Sequence, residues 1–109
     1  MSQTPQNFVM IYATAQTRDE AMAIGRALVG EKLAACVNVL GQARSIYRWQ
    51  GAVEEADEVV LIAKTRQALV DRALARIKEL HSYDVPCAVA YGMVGGLEPY
   101  LDWIGAETA

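Results

Sequence analysis

The chain has 109 residues, 53% of them hydrophobic and 21% charged, with ten Lys and Arg against thirteen Asp and Glu and a formal net charge of -3. That is one domain rather than two, too apolar to stay disordered, and without the run of about 18 apolar residues that a membrane span requires. Its basic residues are scattered singly, so no phosphate-tracking surface is expected and nucleic acid is excluded as the main partner.

The two cysteines, Cys36 and Cys87, form no C-x-x-C pair, so neither a zinc knuckle nor a dense disulfide framework can be built, and reduced thiols are expected. The start, Met1 to Asn7, is short and polar and is expected to be flexible; it lacks the basic and apolar blocks of a secretory leader, which predicts a cytoplasmic protein.

Phe8 to Ala15 is a nearly continuous apolar run, rich in β-branched and aromatic residues, and reads as a strand buried on both faces. Thr17, three residues before Glu20, has the spacing of a capping box and predicts a helix start. Ala21, Ile24, Leu28 and Val29 then keep helical spacing, with Arg18, Asp19, Glu31 and Lys32 polar, and the helix is expected to end near Lys32. Ala34 to Leu40 returns to period two, with Cys36 and Asn38 on one face and Ala35, Val37 and Val39 on the other. Beyond Gly41, Ser45 to Gln50 is again extended, with Tyr47 and Trp49 on one side and Ile46 and Arg48 on the other. One long strand, bent or bulged near Gly41, accounts for both pieces.

Gln50-Gly51-Ala52 is the predicted hairpin tip, and Glu58 to Thr65 the next strand. Gln67 to His81 carries Leu69, Val70, Ala73, Leu74, Ile77 and Leu80 at helical spacing, and Pro86 pushes the chain back to extended backbone. Cys87 to Val94 is the last strand, and Leu97 to Ile104, with Pro99 in its first turn, a short closing helix.

The order β-α-β-β-α-β with a helical tail predicts an α+β, ferredoxin-like sandwich of one domain: an antiparallel sheet with both main helices on one face. Strands apolar on both faces need cover on the second face too, and with no residues left over, another copy of the chain is the economical answer. The usual strand order of this fold, 4-1-3-2, sets Cys36 and Cys87 on opposite edges, about three strand spacings or roughly 14 Å apart. They cannot pair within one chain, but an approach between subunits is open to them.

The segments ATAQTRDEA, GEKLAACVNVL, SIYRWQG, EVVLIAKT, HSYDVP and YLDWI, in that order from Phe8 to Ile104, resemble the CutA divalent-cation-tolerance family. The resemblance implies a homotrimer of ferredoxin-like subunits, similar to PII signalling proteins, with clefts between protomers, a link to copper and other divalent cations, and no firmly attached reaction. There are two departures. Where the family commonly has His-Pro-Tyr and then Val-Pro-Glu, this chain has His81-Ser82-Tyr83 and then Val85-Pro86-Cys87, a thiol in place of a carboxylate. Where the copper-associated members carry a Cys and a second His, it has Ala13 and Leu80.

The candidate metal ligands are therefore His81, Cys36 and Cys87, taking copper or another divalent cation between subunits. Against this, His81 also suits a plain helix C-terminus, and each cysteine a small buried hydrophobe. Trp49, Lys64, Tyr83 and Trp103 are the candidate intersubunit cleft, which in a PII-like signalling or scaffold trimer would bind a small anion or a partner loop. The same aromatics suit an oligomer contact, and Lys64 an ion pair with Glu54 or Glu55. Glu54, Glu55, Asp57 and Glu58 read as a solvated run. Neither Cys–His nor Ser82-His81-Asp84 offers an oriented nucleophile, so no enzyme is expected.

Overall fold

The computed structural model describes residues 7–109, so the predicted flexible start lies outside the described residues except for Asn7. Strand β1 (Phe8–Ala15) is followed by helix α1 (Arg18–Gly30), strands β2 (Cys36–Trp49) and β3 (Ala52–Arg66), helix α2 (Val70–Leu80), strand β4 (Ala88–Gly92) and helix α3 (Glu98–Glu107). The four strands form one antiparallel sheet in the order β2-β3-β1-β4. Cys36 and Cys87 accordingly sit at opposite edges, Cys36 on β2 and Cys87 just before β4.

One face of the sheet carries Ile11, Ala13 and Ala15 of β1 and Val59, Leu61 and Ala63 of β3, packed under Ile24 and Leu28 of α1 and Ala73 and Ile77 of α2. Small residues let the helices lie close: a Cβ on Gly25 would stand 3.1 Å from Cγ1 of Val37. On the other face, α3 covers only one end, where Phe8, Ala35, Leu101 and Ile104 form a second small core. Arg66 ties that helix down, its Nε donating to Oγ1 of Thr108 at 2.9 Å and its Nη2 to the carbonyl of Thr108 at 2.7 Å.

Helix α1 begins as its sequence predicts, with the Glu20 amide donating to Oγ1 of Thr17 at 3.1 Å. The Glu20 carboxylate reaches one residue further than a capping box requires, accepting from the amide of Gln16 at 3.0 Å. The helix stops at Gly30, two residues before the predicted end. Lys32 takes a left-handed φ of 60°, its amide donating to the Val29 carbonyl and that of Leu33 to the Leu28 carbonyl. These are the paired bonds of a Schellman end, here with lysine where glycine is usual. Val29, predicted to face the core, is instead exposed. The predicted second helix is a 3-10 turn over Gln67–Leu69 leading into α2.

Strands β2 and β3, 14 and 15 residues long, outrun β1, whose partners on β3 begin only at Val59. The excess forms a two-stranded arm that lengthens the chain to 51 Å against 26 and 23 Å across. At its tip Gln50 and Gly51 both take positive φ, 49° and 83°, the backbone of a tight two-residue hairpin turn. The predicted start of β3 at Glu58 is corrected to Ala52, because the early half pairs only with β2 and carries no burial pattern that a sequence would show.

The predicted irregularity near Gly41 is a bulge between Val39 and Gln42. Before it Cys36 and Asn38 pair with Lys64 and Ile62; after it Ser45, Tyr47 and Trp49 pair with Ala56, Glu54 and Ala52. All lie on the sheet face away from α1 and α2. The extra residue reverses the alternation, so odd-numbered side chains of the arm continue the face begun by even-numbered ones.

Candidate binding cleft

Where the arm leaves the sheet, this second face forms a cleft of about 620 Å³. Its floor is Tyr12 and Thr14 of β1; the arm supplies Tyr47, Trp49, Glu54 and Glu58; and the loop after α2 supplies Tyr83, Asp84 and Cys87. Glu58 is 9% exposed, the most buried carboxylate among the described residues. Beside it, the Tyr83 phenol is held above its ordinary pKa near 10.0, first by burial and then by the Glu58 carboxylate, which acts both through its charge and as a hydrogen-bond acceptor.

The loop that carries Tyr83 is fixed by His81. The imidazole Nε2 lies 2.7 Å from the Thr14 carbonyl, an acceptor only, so Nε2 carries the proton and donates it. Nδ1 then accepts the Tyr83 amide at 3.1 Å. Glu20 adds a second tie, its carboxylate accepting the Ser82 amide at 2.7 Å as well as that of Gln16. Burial works to raise the Glu20 pKa, but these bonds outweigh it and the carboxyl lies below its usual 4.5. Ser82 Oγ faces Gln16 Oε1 at 3.4 Å, and among the described residues no hydroxyl or thiol is bonded to the imidazole.

The three candidate metal ligands are not brought together within one chain. His81 closes α2, with both ring nitrogens engaged. Cys87 is exposed on the cleft rim, and Cys36 is half-buried on the far edge, its Sγ 3.9 Å from Oδ1 of Asn38. Among the described residues no three His, Cys, Asp or Glu side chains are grouped as a metal site. The four candidate cleft residues divide. Trp49 and Tyr83 line the cleft, whereas Lys64 lies at the α3 end with its Nζ 5.6 Å above the Tyr100 ring, on which Trp103 is stacked. Lys64 thus rests on an aromatic face, neither in the cleft nor in the ion pair that its sequence also allowed.

The acidic run, expected to be simply solvated, is sorted by strand alternation. Arg44 binds Glu55 at 3.4 Å and Asp57 at 3.0 Å on one face of the arm, while Glu54 and Glu58 line the cleft on the other. Period-two counting back from Val60 gives Glu58 and Glu54 the same face, a signal hidden by the charge run.

The family model of the CutA1 divalent ion tolerance protein matches residues 9–107. The chain belongs to the CutA family. It is similar to the divalent-cation tolerance protein CutA of Thermus thermophilus, 41% identical over 99 residues that cover 91% of this chain and 96% of the relative. It is 37% identical over 100 residues to the chloroplastic CutA of Arabidopsis thaliana, covering 92% of this chain but 55% of that protein, so the chain spans about half the length of such plant relatives. Among solved structures, CutA from Xylella fastidiosa superposes with a TM-score of 0.92 at 41% identity, covering 94% of this chain and 99% of that one. The periplasmic divalent cation tolerance protein CutA from Archaeoglobus fulgidus superposes with a TM-score of 0.91 at 37% identity, covering 94% and 99%. The ferredoxin-like α+β sandwich read from the CutA sequence is thus the one these relatives have. None of the described helices is long and apolar enough to cross a membrane.

Proposed function

We propose that this CutA protein acts in divalent-cation tolerance as a homotrimer, holding a soft cation such as copper between subunits on the thiols of Cys36 and Cys87. The observation that carries the proposal is their placement at opposite edges of one sheet, where they meet only if the edges of two copies meet. Thiolates are the ligands that favour copper(I) and zinc over the hard cations of the cell. The cytoplasmic location that the sequence predicts would keep both thiols reduced and free to bind.

His81 joins them only by surrendering the Tyr83 amide from Nδ1, since Nε2 is protonated toward Thr14. The trimer is supported by the uncovered sheet face: Val89 and Tyr91 of β4 stand exposed in the single chain. The other expectation, a signalling trimer taking a small anion in the cleft, has less support. Among the described residues no Lys or Arg lines the cleft, whereas Glu54, Glu58 and Asp84 do.

Native mass spectrometry of untagged protein, with and without one equivalent of copper per chain, tests the proposal. A copper-loaded trimer is expected, with Cys36→Ser and Cys87→Ser each weakening binding at least tenfold. A trimer that stays bare, or holds copper equally well in both serine variants, overturns the thiol site; a monomer overturns the assembly. The thiol variants decide the matter better than His81→Ala, which also releases the Tyr83 loop.

A further inference from the structure

We infer that the cleft between the arm and the sheet is a binding site for an aliphatic polyamine, a flexible methylene chain bearing two or more ammonium groups. Three features of the cleft converge on that chemistry. Its walls include Tyr47, Trp49 and Tyr83, whose ring faces attract ammonium groups and pack against methylene stems. Its carboxylates are Glu54, Glu58 and Asp84, so the polar groups that fix a ligand's orientation are anionic and more than one. Its volume, about 620 Å³, lies in the range of small-molecule sites.

The charge balance separates this cleft from an ordinary acidic surface. Among the described residues Glu54, Glu58 and Asp84 form no ion pair, although Glu55 and Asp57, alternating with Glu54 and Glu58 on β3, are both bound by Arg44. Glu58 is nine-tenths buried beside the Tyr83 phenol, and among the described residues no Lys or Arg is paired with it. Lys78, in the last turn of α2, is committed to the backbone carbonyl of Asp84. A bare divalent metal would use the carboxylates but leave the aromatic walls without a role, and among the described residues no three acidic, thiol or imidazole groups are grouped to hold one. A polyamine uses both: its separated charges can meet separated carboxylates while its methylenes lie on the rings. The cleft shares its rim residue Cys87 with the proposed thiol site, whereas Cys36 lies at the far edge of the sheet.

Isothermal titration of the intact oligomer with spermidine, at fixed ionic strength, tests it. Saturable binding is expected, weakened at least tenfold by Glu58→Gln and by Trp49→Ala and unchanged by Glu55→Gln and Cys36→Ser. Glu54→Gln, at an exposed position, checks the same cleft if the buried substitution impairs folding, and it should weaken binding as well. No heat of binding overturns the inference. So does equal competition by magnesium, which shares the charge but has no methylene chain, and so does an equal loss in Glu55→Gln, which marks a diffuse acidic surface. A copper site lost in Cys36→Ser with spermidine binding intact would separate the two ligands.

Discussion

Glu20 and His81 do at residue scale what the chain's loops cannot do alone: they fasten the turn before α1 to the loop that holds Tyr83. Glu20 accepts two backbone amides, one from each segment, and its pKa is lowered on balance because those bonds favour the charged form over the opposing effect of burial. With the folded value below the unfolded one, the unfolded chain binds the proton more readily. The stability Glu20 contributes is therefore present above about pH 4.5 and is lost as pH falls through its lower folded value. Glu20→Gln should cost about 1 kcal/mol at pH 7, the scale of a charge-assisted bond in a partly exposed place. Urea unfolding of both proteins from pH 7 to pH 3 checks this: the difference should shrink at the acid end, and a difference that stays constant with pH would remove the carboxylate's role. His81, with one nitrogen donating and the other accepting, acts in the single chain as a cross-tie between β1 and that loop. The sequence could show that a lone histidine closes a helix; it could not show that both nitrogens find backbone partners, because one of them, the Thr14 carbonyl, lies 67 residues away.

At the scale of elements, α1 ends on a residue ill suited to its conformation. Lys32 holds φ at 60°, a region that costs a side chain with a Cβ about 1 kcal/mol or more and glycine almost nothing. The turn is nevertheless fixed, since Leu28 and Leu33, which the Schellman bonds bring together, are both buried in the main core. Lys32→Gly should therefore stabilise the protein by about 0.5–1 kcal/mol, net of the greater freedom glycine gains on unfolding. Denaturant midpoints of the two proteins at one chain concentration check this, and a lower midpoint for the glycine variant would show that the lysine makes a compensating contact. Where apolar residues alternate or recur at helical spacing, as in β1, α1 and α2, the sequence made the elements legible, because each buries one stripe against the same core. The arm was less legible. Ala52 to Asp57 is held as a strand by its ladder to β2 with both faces in solvent, and nothing in side-chain polarity records a ladder. The bulge after Val39 was visible as a glycine, but its consequence was not: reversing the alternation sets Tyr47 and Trp49 on the face of Tyr12 and Glu58, which makes the cleft.

For the molecule as a whole, the unequal treatment of the two sheet faces dominates. Helices α1 and α2 seal one, whereas on the other α3 seals only the end near Phe8 and leaves Val89 and Tyr91 of β4 exposed beside the cleft. A free β4 edge and a 14-residue β2 edge flank that face, so the same surface offers both apolar cover and unpaired backbone groups to another copy. If the proposed trimer closes over it, charge placed at its centre should open it. The double variant Val89→Asp, Tyr91→Asp puts two carboxylates on side chains that point away from α1 and α2, so the core beneath those helices keeps its packing. Light scattering after size exclusion should then move from three chains toward the 11.9 kDa of one, and the unfolding midpoint should become lower and less dependent on concentration. A variant that keeps the wild-type mass would show that β4 faces solvent in the assembly. The proposed meeting of Cys36 and Cys87 across sheet edges would then need a different pair of edges, or would fail with it.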